Sequence, residues 1–367
     1  MNLKKVTILL LSCMSLATFS SQVIAQTSTP PAIKISGFAD VYYAAFTDSV
    51  GADNFQKWPS ISSRSHQFGL NTIQLTAQYD GDNFRAISTI HFGDIAKGTW
   101  DGTYNPIMEA HAGVKLSKKW WLDAGFFRTH VGTEGLLPKE NITSSIAVAT
   151  FHEPYYQSGA RFNFKPNSKL ELNIFLLNGY NIYIDNNKKK SVGVLLNYAI
   201  NDKAAFGYSN YLGDDAADGA TAQMRVYQNA FLNYDAKKFK LQIGGDFGMQ
   251  NKSDFRDSNN VKNASMFSGV VTGKYKIKKV HGIYARFEIF HDPTGFLCTK
   301  YPDNMGNQGG YSLTGLTLGG EYKPNDNSYI RLETRQIQMA NNQLLFTTNG
   351  KASSTRMELL INFGISF

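Results

Sequence analysis

From residue 33 to the carboxyl terminus, apolar and polar side chains alternate with a period of two. In 354–367, Met357, Leu359, Ile361, Phe363, Ile365 and Phe367 fall on one face, with Arg356, Glu358, Asn362 and Ser366 on the other. Segment 329–335 sets Arg331, Glu333 and Arg335 against Ile330 and Leu332. Segment 283–289 sets Tyr284, Arg286 and Glu288 against Ile283, Ala285, Phe287 and Ile289. In 107–116, Glu109, His111 and Lys115 alternate with Met108, Ala110, Ala112, Val114 and Leu116. A helix would scatter these charges around its circumference; a strand collects them on one face.

About sixteen such strands are predicted, over 33–46, 66–79, 84–95, 106–117, 120–131, 155–165, 169–180, 190–200, 203–212, 224–235, 238–249, 265–277, 280–291, 312–323, 328–339 and 354–367. At about 3.3 Å per residue they run roughly 35–45 Å, far beyond ordinary strands of about 5–6 residues. A tilted strand crosses a bilayer in about 9–11 residues. The connections sort by parity. Short links lie at 80–83, 117–119, 166–168, 201–202, 236–237, 278–279 and 324–327. Long ones lie at 47–65, 96–105, 132–154, 181–189, 213–223, 250–264, 292–311 and 340–353. An up-and-down barrel with both termini on one side requires this alternation. The predicted fold is therefore all-β: a transmembrane antiparallel β-barrel of about sixteen strands, with short periplasmic turns and long extracellular loops. Tyr79, Phe164, Tyr198, Tyr234, Tyr275 and Tyr322 precede short turns and Trp120 follows one, where a membrane interface favours aromatic rings.

Composition narrows the alternatives. Charged residues make up 18% of the 367 and aromatics 13%, against about 25% charged in soluble domains. The aromatic and β-branched content excludes a disordered chain. No uncharged apolar run near 20 residues follows the first 25, which excludes membrane-spanning helices. Lys4 and Lys5, the apolar Val6–Leu11, and Val23, Ile24 and Ala25 before Gln26 compose a secretory signal peptide over 1–25, leaving 26–367 as one barrel domain. A lipoprotein signal at Cys13 is the competing reading. Cys298 remains as the mature chain's one cysteine, so neither a disulfide framework nor a zinc site is available.

Arg or Lys facing lipid at mid-depth costs about 2–4 kcal/mol, so the charged faces turn inward. The predicted pore-lining residues are Arg85, Glu109, Lys115, Arg161, Arg286, Glu288, Arg331, Glu333, Arg335, Arg356 and Glu358. Rings of one sign would select ions strongly; this mixed set predicts a broadly permeable, water-filled lumen. Alternatively, opposite charges on neighbouring strands pair and brace the wall. The connection 132–154 contains Ile146-Ala147-Val148-Ala149, an apolar stretch unusual for a loop in water, and is expected to fold inward and narrow the barrel.

The signal peptide, the alternating segments and the terminal Ile361-Asn362-Phe363-Gly364-Ile365-Ser366-Phe367 resemble a Gram-negative outer-membrane barrel. More narrowly, Ile35-Ser36-Gly37-Phe38-Ala39-Asp40-Val41-Tyr42-Tyr43, and Leu176-Leu177-Asn178-Gly179-Tyr180-Asn181 followed by Lys190-Ser191-Val192-Gly193, resemble the β-barrel porin family called OmpL-like. That resemblance implies an outer-membrane porin passing small hydrophilic solutes. It also implies recognition of the last strand and Phe367 by the barrel assembly machinery. The family is defined by barrel pattern, so no site residue is carried across.

Other chemistries fit less well. The seven histidines are scattered, and no metalloprotease, nucleophile-elbow or phosphate-loop motif occurs. Ser88 beside His91 is the nearest approach to a lipid hydrolase pair. Asp214-Asp215 and Asp218-Gly219 form an acidic turn that could bind calcium but needs no metal. No cofactor is expected. Lys188–Lys190 reads as a solvated loop, and nucleic acid is not an expected partner. Lipid and small solutes are the expected partners, with a homo-trimer as one arrangement. A non-conducting adhesin or surface receptor using its long loops is the alternative function.

Overall fold

The computed structural model describes residues 32–100, 102, 106–257, 261–302 and 308–367; the expected signal peptide lies outside the described residues. The barrel strands are β1 (Lys34–Phe46), β2 (Gln67–Asp80), β3 (Phe84–Phe92), β4 (Ile107–Ser117), β5 (Trp120–Arg128), β6 (Tyr156–Phe164), β7 (Leu170–Leu177), β8 (Ser191–Ala199), β9 (Ala204–Asp214), β10 (Met224–Asp235), β11 (Phe239–Asp254), β12 (Lys262–Lys276), β13 (His281–Asp292), β16 (Tyr311–Asn325), β17 (Ser328–Met339) and β20 (Thr355–Ser366). Each pairs antiparallel with its neighbour in that order, and β20 returns to β1, closing a sixteen-stranded barrel. Two small hairpins, β14–β15 (Tyr301–Pro302 with Gln308–Gly309) and β18–β19 (Phe346–Thr348 with Lys351–Ser353), lie in long loops.

The outer face carries an apolar band. Phe287, Ile289, Leu316, Leu318, Ile330, Leu332, Phe363 and Ile365 are exposed on it, while the alternating residues Arg286, Glu288, Arg331, Glu333 and Arg335 are buried inside. Hydrocarbon can solvate that outer face, and closure pairs the backbone groups that hydrocarbon cannot. Tyr198, Tyr234, Tyr275 and Tyr322 are exposed near the short turns, and Trp120 stacks on Phe164 at 4.4 Å, as the sequence led us to expect.

At the seam, Gly37 N–H donates to the Phe367 carbonyl at 2.7 Å and Phe367 N–H to the Gly37 carbonyl at 3.1 Å. The Phe367 ring lies over Gly37, filling the space a Cβ would need. The same device recurs where Tyr42 covers Gly69, Tyr284 covers Gly319 and Tyr329 covers Gly364. An aromatic ring across a neighbouring glycine restores the packing that the missing side chain forgoes.

Several ends differ from expectation. β3 stops at Phe92 rather than 95, because Gly93 at φ 126° turns the chain into a short helix, Asp94–Thr99. Asp94 is buried there, accepting from Tyr42 Oη at 2.6 Å and Arg64 Nε at 3.0 Å. β5 and β7 also end early, at Arg128 and Leu177, where the chain leaves the wall. β11 extends past 249 to Asp254.

Candidate functional site

The segment from Thr129 to Tyr155, between β5 and β6, is the structural centre of the lumen. In the strand order β13, β16 and β17 lie half the circumference away, yet the loop is hydrogen-bonded to all three. Ser144 N–H and Ser145 N–H donate to Glu333 on β17 at 2.7 and 3.1 Å, and Val148 N–H donates to Glu288 on β13 at 2.7 Å. Arg286 on β13 reaches the Ser145 carbonyl at 2.7 Å and Thr143 Oγ1 at 3.0 Å, and His152 Nε2 lies 2.8 Å from Tyr311 Oη on β16. Arg331 on β17 donates to the carbonyls of Pro138, Asn141 and Thr143 at 2.8, 3.0 and 2.8 Å. Within the loop, Ala147 N–H is taken by Glu134 at 2.6 Å.

Those bonds explain why Asn141–Phe151 is irregular, apart from one turn at Ala149–Phe151. Every buried backbone group needs a partner, and here the opposite wall supplies them in place of a helix's own ladder. Ile146, Ala147 and Val148 are buried, so the apolar stretch has its explanation in inward folding. The loop crosses the lumen, as its sequence led us to expect.

The wall beneath the loop is a chain of alternating charges. Arg286 pairs with Glu134 at 3.3 Å and lies 3.6 Å from Glu288. Glu288 pairs with Arg335 at 2.5 Å, and Arg335 lies 3.7 Å from Glu358. Glu358 pairs with Arg356, whose Nε also holds Asp48 at 2.6 Å. A second string joins Lys274 to Glu321 and Glu321 to Arg331 at 2.8 Å. Buried ions persist only when paired and hydrogen-bonded, and each of these is.

The eleven residues read as pore-lining thus separate into two groups. All sit on inward faces. Arg286, Glu288, Arg331, Glu333, Arg335, Arg356 and Glu358 are at most 5% exposed and spend their hydrogen bonds on the loops and on one another. Arg85, Glu109, Lys115 and Arg161, on β3, β4 and β6, are less deeply buried, with Arg85 and Arg161 about a quarter exposed. Arg85 and Arg161 share Asp123, with bonds of 2.5 and 3.1 Å. The Arg85 guanidinium also lies 4.5 Å from the Trp121 ring, with Lys115 at 5.8 Å from the same ring. Glu109 lies 3.7 Å from His111. The bracing interpretation of the charges describes the first group, and in the second it describes Arg85 and Arg161 through Asp123.

Period-two reading assigns no facing to loop residues, so it missed Asp48, Glu134 and Glu153; His130 was read within the strand 120–131 but lies past the end of β5 at Arg128. The same reading missed the inward fold of 47–65, although Trp58 and Ile61 within it are as out of place in water as Ile146. Trp58 packs on Tyr311 at 5.0 Å and Phe346 at 5.2 Å. With Val148, Tyr211, Tyr227, Met266 and Phe290 they form an apolar cluster among the described residues. The open space lies elsewhere. A cavity of about 250 Å³ separates the loop stem from β8 and β10, lined by Arg128, His130, Glu134, Glu153, Asn197 and Phe231. A larger one, about 700 Å³, opens at the end bearing the short turns.

The loop stem carries buried titratable groups. Burial, and then the negative charges of Asp246 and Glu134, push the Glu153 carboxyl well above its ordinary range. Burial pushes the His152 imidazole down to about 4, against the opposing charge of Asp292. The His130 imidazole is also lowered by burial; its nitrogens lie 2.5 Å from Gln157 Oε1 and 2.8 Å from the Asn210 carbonyl. Gly132, at φ 121°, faces the Glu153 carboxyl so closely that a Cβ would collide with it. The two stems therefore meet at a glycine and a buried acid.

The remaining candidates are dispersed. Ser88 is exposed on the outer face while His91 is buried inside, so the two do not meet. Asp214 and Asp215 are engaged by Lys189 and Arg225, at 2.5 and 3.3 Å, and Asp218 accepts Lys188 N–H at 3.3 Å. Among the described residues no group of three or more His, Cys, Asp or Glu is placed to hold a metal ion.

The family model described as "Putative beta-barrel porin-2, OmpL-like" matches residues 32–367. No curated protein matches the chain in sequence. Among solved structures, the chain is similar to an anion-selective porin from Comamonas acidovorans, with 9% identity and a TM-score of 0.63 over 92% of this chain and 99% of that one. It is similar to the outer membrane channel DcaP of Acinetobacter baumannii, at 11% identity and a TM-score of 0.59 over 91% and 97%. It is also similar to in-vitro folded OmpT of Vibrio cholerae in its trimer form, at 14% identity and a TM-score of 0.55 over 92% and 100%. These likenesses concern the fold.

Proposed function

We propose that this chain, which belongs to the OmpL-like family of β-barrel porins of the outer membrane, passes small hydrophilic solutes by passive diffusion. The supporting observation is the loop clamped across the lumen by Arg286, Glu288, Arg331 and Glu333. A sixteen-stranded barrel is too wide for its own side chains to fill, and the loop narrows it, packing on the interior of β4–β7, β9 and β10 as well as bonding to the far wall. Solutes would meet the partly exposed Arg85, Lys115 and Arg161 on the inward face of β3, β4 and β6. The chemistry supports transport rather than catalysis, since Ser88 and His91 lie on opposite faces of β3.

The test is single-channel recording in a planar bilayer. The expected result is discrete, sub-nanosiemens steps, smaller than those of an unobstructed barrel of this width. Deleting 139–150 should raise the step severalfold. Unchanged conductance in the deletion variant would remove the loop from the pore. A silent bilayer with folded protein would instead favour the receptor alternative.

A further inference from the structure

The cavity at the short-turn end of the barrel is walled by β10–β13, β16 and β17 and roofed by loop residues 139–142. Its charges do not balance. Glu140 is held by Arg128 at 2.6 Å, Asp235 by Lys240, and Glu321 by both Lys274 and Arg331. Of the lining carboxylates only Asp326, at a turn tip, forms no ion pair among the described residues. Lys139, Lys276, Lys279 and Lys323 line the same space and likewise form none. Lys139 sits over the Phe38 ring at 4.4 Å, a contact that positions an ammonium without neutralising it. Lys276 shares the inward face of Lys274, and Lys323 that of Glu321.

The imbalance continues on the inward face of β3, β4 and β6. Arg85 and Arg161 share the single carboxylate Asp123, and Lys115 meets a ring rather than an acid. Ammonium groups lining a concave, low-dielectric rim add their fields within a Debye length of about 8–10 Å. The paired acids cannot offset them, because their charge is already spent on internal partners.

We propose that this periplasmic vestibule is a binding site for small multivalent oxyanions, phosphate- or carboxylate-bearing solutes, and gives the channel a preference for anions. The binding half stands on the vestibule alone; the preference half rests on the pore reading. Lys139, Lys276 and Lys323 supply the ligating ammonium groups, and the turn lysine Lys279 adds long-range field.

Two measurements on the refolded full barrel separate the halves. Calorimetry with inorganic tripolyphosphate in detergent should show binding that weakens with salt. In the triple variant Lys139→Gln, Lys276→Gln, Lys323→Gln, affinity should fall about tenfold, as expected for losing three partly screened contacts. Heat-modifiable gel mobility checks that the variant is folded. In a bilayer under a potassium chloride gradient, the reversal potential should show chloride favoured over potassium, moving toward no preference in the variant. Tripolyphosphate should block from one side only. No binding, or binding unchanged in the folded variant, overturns the site. A conducting channel that favours potassium overturns the preference while leaving the pore standing. A silent bilayer with lysine-dependent binding overturns the pore and supports the site.

Discussion

Val148 donates its backbone N–H to Glu288 Oε2 at 2.7 Å, a bond that spans 140 residues of chain and the width of the lumen. The acceptor lies on a wall strand and the donor in a loop, so the wall's charge pattern serves to hold backbone. The acid at Glu333 does the same for Ser144 and Ser145, and Arg331 does it in reverse for carbonyls.

Removing one of these wall acids should free the loop and leave the barrel intact. Glu333→Ala strands two buried amides and the Tyr284 hydroxyl, which donates to it at 3.1 Å. Breaking a buried charged partner costs about 3–5 kcal/mol. The expected outcome is a larger, noisier open-channel current with unaltered gel mobility of the folded form. An unchanged current would mean that the remaining clamps hold the loop alone.

The loop neck should respond to pH through Glu153. Its carboxyl titrates above the ordinary range in the folded chain because it is buried and faces Asp246 and Glu134. Between the ordinary value and the raised one, the folded chain keeps a proton that the unfolded chain has lost. Stability therefore falls as pH rises through that window. Glu153→Gln removes the loss. Its melting midpoint should match that of the unaltered protein near about pH 4 and exceed it progressively toward about pH 8. A constant difference across the range would contradict the assignment.

Lipid contact predicts a depth-dependent cost on the outer face. Leu332→Arg, midway along β17, should destabilise the barrel by about 2–4 kcal/mol, whereas Tyr322→Arg, near a short turn, should cost about 0–1. Folding equilibria in vesicles measure both. Equal costs would mean that the exposed band does not face hydrocarbon.

The C-terminal ring has a structural place over Gly37 and a proposed second one as the signal read by the assembly machinery. Deleting Phe367 should lower the amount of barrel assembled in cells severalfold, while refolding into detergent proceeds with a small loss of stability. Parallel losses in both settings would assign the residue to packing alone.

Much of this molecule is determined by local alternation. A strand that is apolar on one face and charged on the other, long enough to span a bilayer, leaves few arrangements, and the parity of short and long connections selects one. Arg286, Glu288, Arg331 and Glu333 are legible as inward-facing for the same reason. Their partners are not. Whether Glu333 meets water, Arg335 or the amides of a loop from the far wall depends on where 129–155 goes, and no repeat encodes a loop's path. Glu153 and Asp48 were invisible because residues outside the strands have no period to read. The apolar run at Ile146–Ala149 shows that the loop must bury something; only closure of the barrel, which brings β17 opposite β5, decides what it is buried against. The sequence therefore determines the barrel and the side each strand residue faces. Tertiary structure decides which inward charges are buried against the loops and which stay partly exposed.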